Sequence, residues 1–308
     1  MKLRQLQCLC AVVDAGFNIS RASTLVHATQ PAIGKQLRLL EDELGSQLLL
    51  RQGGRLLGLT ESGERILGWA RRALQCADNI RAAASECADE VGRIDLATSH
   101  THANYVLLPA IRAFSQLCPL VRIGLRQGTP EQVADLVRDG KVTVGVIHQP
   151  PRLPEEVIAI PFLSARQVLI TPAGHPLLSE NELTLTKLAA YPLIVQDPAQ
   201  PQGARILGEF QRANLKVELA VQALDADVMK TYVAAGLGIA VIPDYSYSAS
   251  HDQDLRMRDA DHLFAPGVSA VLLRRQTYLH HHVYSFLECL DPALDRSRVE
   301  LLVFEADS

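Results

Sequence analysis

The 308-residue sequence has no uninterrupted apolar run of the roughly 18 residues that a membrane-spanning helix requires. It has no low-complexity tract and no collagen-like repeat. It has no Cys-x-x-Cys pair. Its six cysteines, at 8, 10, 76, 87, 118 and 289, are scattered, which excludes a disulfide ladder and predicts buried, reduced thiols. It has no surplus of positive charge: the net charge of −4 argues against a generally basic nucleic-acid coat. Finally, it has no Gly-x-Ser-x-Gly, no phosphate-binding loop and no His-Glu-x-x-His, and no catalytic pairing is visible.

What is there is a composition of 48% hydrophobic and 21% charged residues, enough apolar material for about two domains at roughly 150 residues each. Met1, Lys2 and Arg4 followed by Leu6 to Val13 imitate an export leader. Gln5 and Gln7 interrupt that stretch, Asp14 closes it, and no small-residue cleavage site follows. The segment therefore reads as a helix and the protein as cytoplasmic, with no membrane partner.

Charge is unevenly spread. Residues 1–60 hold 7 Lys and Arg against 4 Asp and Glu, whereas residues 61–308 hold 23 against 30. A small basic head on an acidic body suggests a local nucleic-acid surface. Leu3, Leu6, Cys10 and Val13 recur at helical spacing, and Gly16 ends the helix. Asn18 or Ser20 caps a second helix carrying Ala22, Leu25 and Val26. Thr29 caps a third, with Pro31 in its first turn, a buried stripe of Ile33, Leu37, Leu40 and Leu44, and Gly45 as its stop. The other face of that helix carries Gln30, Ala32, Lys35, Gln36 and Arg38. Arg51-Gln-Gly-Gly-Arg55, between Leu48–Leu50 and Leu56–Leu59, reads as a wing. This is a winged helix-turn-helix pattern: the third helix fits a major groove about 12 Å wide, where Gln pairs with adenine and Lys or Arg with guanine. A small helical bundle with a solvated charged face explains the same pattern equally well.

Residues 61–90 read as one long helix. Ile66, Ala70, Ala73, Ala77, Ile80, Ala84 and Cys87 recur at alternating steps of four and three, an a/d seam that predicts a dimer; the alternative is packing against its own domain. The remainder alternates strand and helix: strands at 93–98, 121–126, 142–147, 166–171, 193–196, 216–223, 239–242 and 269–273, with helices at 104–117, to Asp139, 184–189, 203–213, 225–235 and a closing one at 278–290. Such alternation predicts parallel sheets, two of them, with ligand sites beyond strand C-termini and against helix N-termini.

These residues carry a resemblance. Ala28-Thr-Gln-Pro-Ala-Ile-Gly-Lys-Gln-Leu-Arg-Leu-Leu-Glu-Asp-Glu-Leu-Gly45 and Leu59-Thr-Glu-Ser-Gly63 resemble the recognition helix and the start of the linker helix of LysR-type transcriptional regulators. Ala97-Thr-Ser-His-Thr101, Gln127-Gly-Thr-Pro130, Asp225-Ala-Asp-Val-Met-Lys-Thr-Tyr-Val233 and Gly236-Leu-Gly-Ile-Ala-Val-Ile242 are similar to the cysteine-regulon (CysB-type) branch. The likeness runs from residue 1 to about 290. It implies an N-terminal winged helix-turn-helix (1–60), a linker dimerisation helix (61–90) and an α/β effector-binding domain (91–308). That domain is of two Rossmann-like subdomains, like a periplasmic binding protein: 91–162 with 268–308, and 163–267, crossing near Leu163 and Val268.

The family implies a regulator, not an enzyme, acting as a homodimer or homotetramer on double-stranded promoter DNA and working with RNA polymerase. In the branch the effector is an acetylated serine, with sulfate, thiosulfate or sulfide opposing it or occupying its site, and the genes concern sulfur uptake and cysteine synthesis. No further cofactor and no metal is implied. DNA-binding residues would be Thr29, Gln30, Pro31, Ala32, Lys35, Gln36, Arg38, Arg51 and Arg55. Effector-binding residues would be Ser99, His100, Thr101, His102, Thr129, His148, Gln202 and Gly203. The sequence departs from the branch where His102 replaces glutamine, where His148 replaces threonine, and where Gln200-Pro-Gln-Gly203 replaces a threonine-bearing loop.

Several residues admit more than one reading. Histidines 100, 102 and 148 form an anion pocket, a metal site or structural contacts. Asp225 and Asp227 cap a helix or touch ligand, capping being favoured. His280-His-His282 reads as a solvated helical face, and Gly236-Leu-Gly238 as a tight turn entering a strand. The competing functions are a LysR-type regulator of another pathway with an unrelated effector, an α/β enzyme, and a solute-binding protein.

Overall fold

The computed structural model describes residues 1–85, 92–148 and 152–304, which divide into two units, one of residues 1–88 with 276–278 and one of the remainder.

The first unit opens with α1 (Leu3–Asp14), α2 (Ile19–Leu25) and α3 (Gln30–Leu44). Asn18 caps α2 by accepting from the Arg21 N–H, and the Thr29 hydroxyl accepts from Ala32 N–H at the start of α3. Gly45 ends α3 at φ +63°, the left-handed region where a glycine costs least. Leu6, Leu9, Val12, Ala22, Ile33, Leu37, Leu40, Leu48 and Leu49 form one core; Leu44, expected in that stripe, is exposed because the helix is ending there. β1 (Leu49–Gln52) and β2 (Arg55–Leu59) pair antiparallel across Gly53-Gly54, whose φ values of +57° and +80° suit a tight two-residue hairpin turn.

α4 (Glu61–Ser85) follows. Its a/d stripe does not act as one seam. Ala70 is 2% exposed, and Ile66 and Ala73 pack with it on the head's own core, against α1. Ala70 is therefore corrected from dimer seam to intradomain packing, with Ile66 and Ala73 partly buried beside it: the three-helix head closes its core with this turn of α4. Beyond them Ala77 is half-buried, Ile80 is 71% exposed and Ala84 is exposed. Cys87 lies outside the described residues. Trp69 is also exposed, with the Arg72 guanidinium 5.0 Å above its ring.

The second unit contains two five-stranded sheets. Its elements run β3 (Arg93–Thr98), α5 (His100–His102), a π-helical turn (Ala103–Leu107), α6 (Leu108–Leu117), β4 (Arg122–Gln127), α7 (Pro130–Arg138), β5 (Val144–His148), β6 (Val157–Ala165), β7 (Gln167–Pro172) and α8 (Leu185–Ala189). Then come β8 (Leu193–Gln196), α9 (Pro201–Arg212), β9 (Leu219–Ala223), α10 (Ala226–Ala234), β10 (Ile239–Pro243), β11 (Leu255–Asp259), β12 (Gly267–Arg274), α11 (His281–Leu290) and α12 (Arg296–Phe304).

The sheet orders are β4-β3-β5-β12-β6 and β11-β7-β10-β8-β9. Neither is wholly parallel, which corrects the expectation from alternation. β12 runs antiparallel to both β5 and β6, and β7 antiparallel to β10 and β11. The βαβ rule holds only for connections that return to their own sheet; β6 leaves the first subdomain and β12 re-enters it. The exchange falls at Arg166, just past Leu163, and ahead of Gly267, next to Val268.

β6, β11 and α12 have no counterpart in the sequence reading. β6 contains Pro161 and β11 is rich in charge, and both are edge strands, where a missing donor or a charged face is tolerated. The presumed closing helix begins at His281 and is followed by α12. Within it His281 is exposed but His282 is buried, so the histidine run is only partly a solvated face. Cys8 and Cys10 are buried as expected, whereas Cys76 is exposed. Among the described residues, no helix is long and apolar enough to cross a membrane.

Candidate functional site

On the head, α3 presents Gln30, Pro31, Ala32, Lys35 and Arg38 exposed and Gln36 half-buried; Pro31, Lys35 and Arg38 lie opposite the buried Ile33, Leu37 and Leu40, and Gln30 and Gln36 flank that stripe. Thr29 is exposed at its cap. Gln30 is already engaged, its Nε2 donating to Ser20 Oγ at 2.9 Å. Arg51 is too: its Nη2 donates to Glu41 Oε2 at 2.5 Å, and Glu41 Oε1 accepts from the Leu48 and Leu49 N–H groups. Glu41 thus ties the wing to α3, a role that no spacing rule indicates. Arg55 is exposed at the hairpin tip.

In the second unit a cavity of about 390 Å³ opens between the two subdomains. Four helix starts border it: Ser99 to Thr101, Thr129-Pro130, Pro201-Gln202 and Asp225-Ala226. Each follows a strand end, β3, β4, β8 or β9. Of the eight residues expected here, Ser99, His100, Thr101, His102, Thr129, His148 and Gln202 line the cavity. Gly203 does not. A Cβ there would fall 2.1 Å from the Gln196 carbonyl oxygen, so its role is close packing of α9 on the end of β8.

His102 lines the cavity but is held by the chain itself. It is 3% exposed, its Nδ1 is 2.8 Å from Ser99 Oγ, and its Nε2 is 2.8 Å from Ser269 Oγ. Both ring nitrogens are thus hydrogen-bonded to hydroxyls of the chain itself, which gives His102 the structural contacts that are one of its readings. Burial, with a smaller contribution from His148, depresses its pKa to about 3. Burial first and the Arg205 charge second lower His148 to about 4. Both rings are neutral near pH 7.

Tyr245 and Gln127, Gln132, Gln196 and Gln200 also line the cavity and were not foreseen. Tyr245 lies in a 3₁₀ turn after β10, outside any motif, and burial pushes its hydroxyl pKa up. Arg205, behind the lining, was missed as well; it sits within a helix whose pattern announces only amphipathicity.

The two walls touch directly. Thr101 Oγ1 accepts from the Ala226 N–H at 3.4 Å. Asn104 Nδ2 donates to Asp227 at 2.9 Å, and the Tyr105 hydroxyl donates to Asp227 while accepting from Lys230 Nζ at 2.6 Å. Lys230, 7% exposed, also pairs with Asp252 at 3.1 Å. Burial opposes its charge, yet bonds to Tyr105 and Asp252 raise its pKa overall. Asp225 caps α10 through the Val228 N–H, the favoured reading, and also lines the cavity. Among the described residues His100, Asp225 and Asp227 bring ligand atoms within 4.8 Å of one another, but the capping and latch bonds already occupy the carboxylates.

Residues 3–64 match the bacterial regulatory helix-turn-helix protein family, lysR type, and residues 88–295 match the LysR substrate binding domain. The chain belongs to the LysR family. This LysR-type transcriptional regulator is 33% identical over 307 residues to the HTH-type transcriptional regulator SsuR of Burkholderia cenocepacia, covering 99% of this chain and 100% of that one. It is 34% identical to the HTH-type transcriptional regulator CysB of Haemophilus influenzae, over 97% of this chain and 93% of the relative. The solved cofactor-binding domain of the Cbl transcriptional regulator matches with a TM-score of 0.67 and 33% identity, covering 71% of this chain and 96% of that chain. Full-length CbnR complexed with its target DNA, at 23% identity and a TM-score of 0.57 over 95% of this chain and 100% of that one, shares the fold. The expected regulator, and not the α/β enzyme, is what the chain is. LysR regulators bind promoter DNA and form oligomers.

Proposed function

We propose that this LysR-type regulator senses a small anion, acetylserine or a sulfur oxyanion such as sulfate or thiosulfate, and controls genes of sulfur uptake and cysteine synthesis. The observation that carries the reading is the convergence of four helix starts on one cavity whose lining is rich in hydroxyl, amide and imidazole groups and whose one carboxylate, Asp225, is turned to the Val228 N–H as the cap of α10. Helix N-termini carry partial positive charge and unpaired N–H groups, which favour a carboxylate or an oxyanion. α9 begins at Gln200 without a side-chain cap, leaving its first donors open. The likeness to SsuR, CysB and Cbl supports the choice of pathway.

The regulator acts in the cytoplasm as a homodimer or homotetramer on promoter DNA, with RNA polymerase and with no cofactor besides the effector. α3 enters the major groove with Ala32, Lys35, Gln36 and Arg38, and with Gln30 once it leaves Ser20; Thr29, Pro31 and Arg55 face phosphates, while Arg51 braces the wing.

A thermal-shift screen of acetylserine, sulfate and thiosulfate tests the effector. At least one is expected to raise the unfolding temperature of the wild type and to do so less for a Ser99→Ala, His148→Ala double variant. Equal shifts in both proteins would place the site elsewhere.

A further inference from the structure

The cavity lining contains many donors but neither Lys nor Arg; its buried His102 and half-buried His148 are neutral, and its one carboxylate, Asp225, caps α10. One guanidinium lies directly behind it. Arg205, in the second turn of α9, donates through Nη1 to the Pro266 carbonyl at 2.6 Å and through Nη2 to Gln202 Oε1. No carboxylate lies within 4.0 Å of it among the described residues. Glu209, the next acid along α9, is paired with Arg212 at 2.8 Å. The Arg205 Nε is buried with no acceptor. Glu209 acts on Arg205 only at a distance, so among the described residues this cation is held in no ion pair.

A guanidinium has donors only. Gln202 must therefore turn its oxygen to Arg205, since a flipped amide would set donor against donor. With that choice made, Gln202 Nε2 donates to Gln167 Oε1 at 2.7 Å and Gln167 Nε2 to the Ala165 carbonyl at 3.4 Å. Arg205 thus sets the direction of the whole chain of bonds. The Gln202 amide keeps a second hydrogen for the cavity that it lines. On the other side, a Cβ at Gly267 would fall 2.6 Å from His148 Cε1 and 2.9 Å from Arg205 Nη2, so ring and guanidinium share the space that this glycine leaves. The charge borders lining residues of both walls.

We propose that Arg205 is the residue that makes the cavity select an anion, through the Gln202 amide that it orients and through its own charge, held in no ion pair, near His148. This rests on the reading that the cavity holds a small anionic effector. Arg205 is a positioning residue: the anion meets the amide hydrogen of Gln202, and the guanidinium behind strengthens that donor.

The test is calorimetry on the full-length protein with sulfate and thiosulfate as anionic probes and dimethyl sulfone as a neutral tetrahedral one. Arg205→Gln should lose at least about tenfold in sulfate affinity, as for a hydrogen bond deprived of charge assistance, with dimethyl sulfone affinity unchanged. Arg205→Lys should recover most of the loss. A merely structural role would weaken both probes alike. Unchanged sulfate affinity in Arg205→Gln, or no recovery in Arg205→Lys, overturns the proposal and leaves the anion reading standing. A wild type that binds neither sulfate nor thiosulfate overturns both. If Arg205→Gln does not fold, Gln202→Leu replaces it: loss of the preference for sulfate supports the relay and an unchanged preference overturns it.

Discussion

At the scale of single residues, position on the exposed face of α3 and protonation in the cleft each lead to a measurable outcome. Gln36→Ala should cost about 1–3 kcal/mol of DNA affinity and relax base preference at one position, because a bidentate base contact is lost. Arg55→Ala should weaken all sequences alike and flatten the salt dependence, as a phosphate contact does. Competition binding against single-base variants of the operator, at several salt concentrations, separates the two. The cleft histidines give a pH dependence. His102 and His148 titrate at about 3 and about 4 in the fold, against the usual 6.5 when unfolded. Between those values the unfolded chain binds more protons, so stability is full above pH 6.5 and falls as pH drops toward 4. Each unit of separation is worth about 1.4 kcal/mol per group. Urea midpoints at pH 8, 6.5 and 5 should decline in that order, and His148→Gln should flatten the decline; equal slopes would remove His148 as a contributor.

At the scale of elements, the burial of α4 changes along its length. Ala70 belongs to the head core, whereas Ile80 is exposed. Ala70→Glu should therefore unfold the head, since an unpaired carboxylate cannot be buried there without a large penalty. Ile80→Glu should leave the unfolding temperature near wild type while splitting the dimer, because two carboxylates would meet in the seam. Sedimentation and thermal unfolding of the two variants read these effects separately; an unchanged dimer in Ile80→Glu would place the interface on another face. The regular 4,3 repeat made the helix legible in the sequence. It did not reveal which half faces inward, since the same apolar stripe serves either purpose.

At the scale of the whole molecule, head and body each bury their own hydrophobic cores. Removing residues 1–60 should abolish binding in a DNA mobility shift while the body keeps its response to acetylserine, sulfate or thiosulfate in thermal shift. Retained DNA binding would refute the assignment of reading to the head. The charge division supports the same expectation, since the net positive segment is the head and the remainder is acidic.

Local chemistry written in the chain determined the caps at Asn18, Thr29 and Asp225, the stop at Gly45, the Gly53-Gly54 hairpin and the strand–helix alternation of the body. Each depends on residues a few positions apart. The same alternation set the site beyond strand ends and against helix N-termini, because helices that follow strands in a sheet start there, while its individual residues came from the family resemblance. The tertiary structure alone decided the rest: that β12 returns antiparallel, that Ser269 takes the last nitrogen of His102, that Gly203 packs α9 on the end of β8, and that His148 and Arg205 border the same glycine, Gly267. Those outcomes join residues that no periodicity relates. They follow from which two segments exchange between sheets, and from a buried donor's need to find an acceptor wherever the chain has brought one.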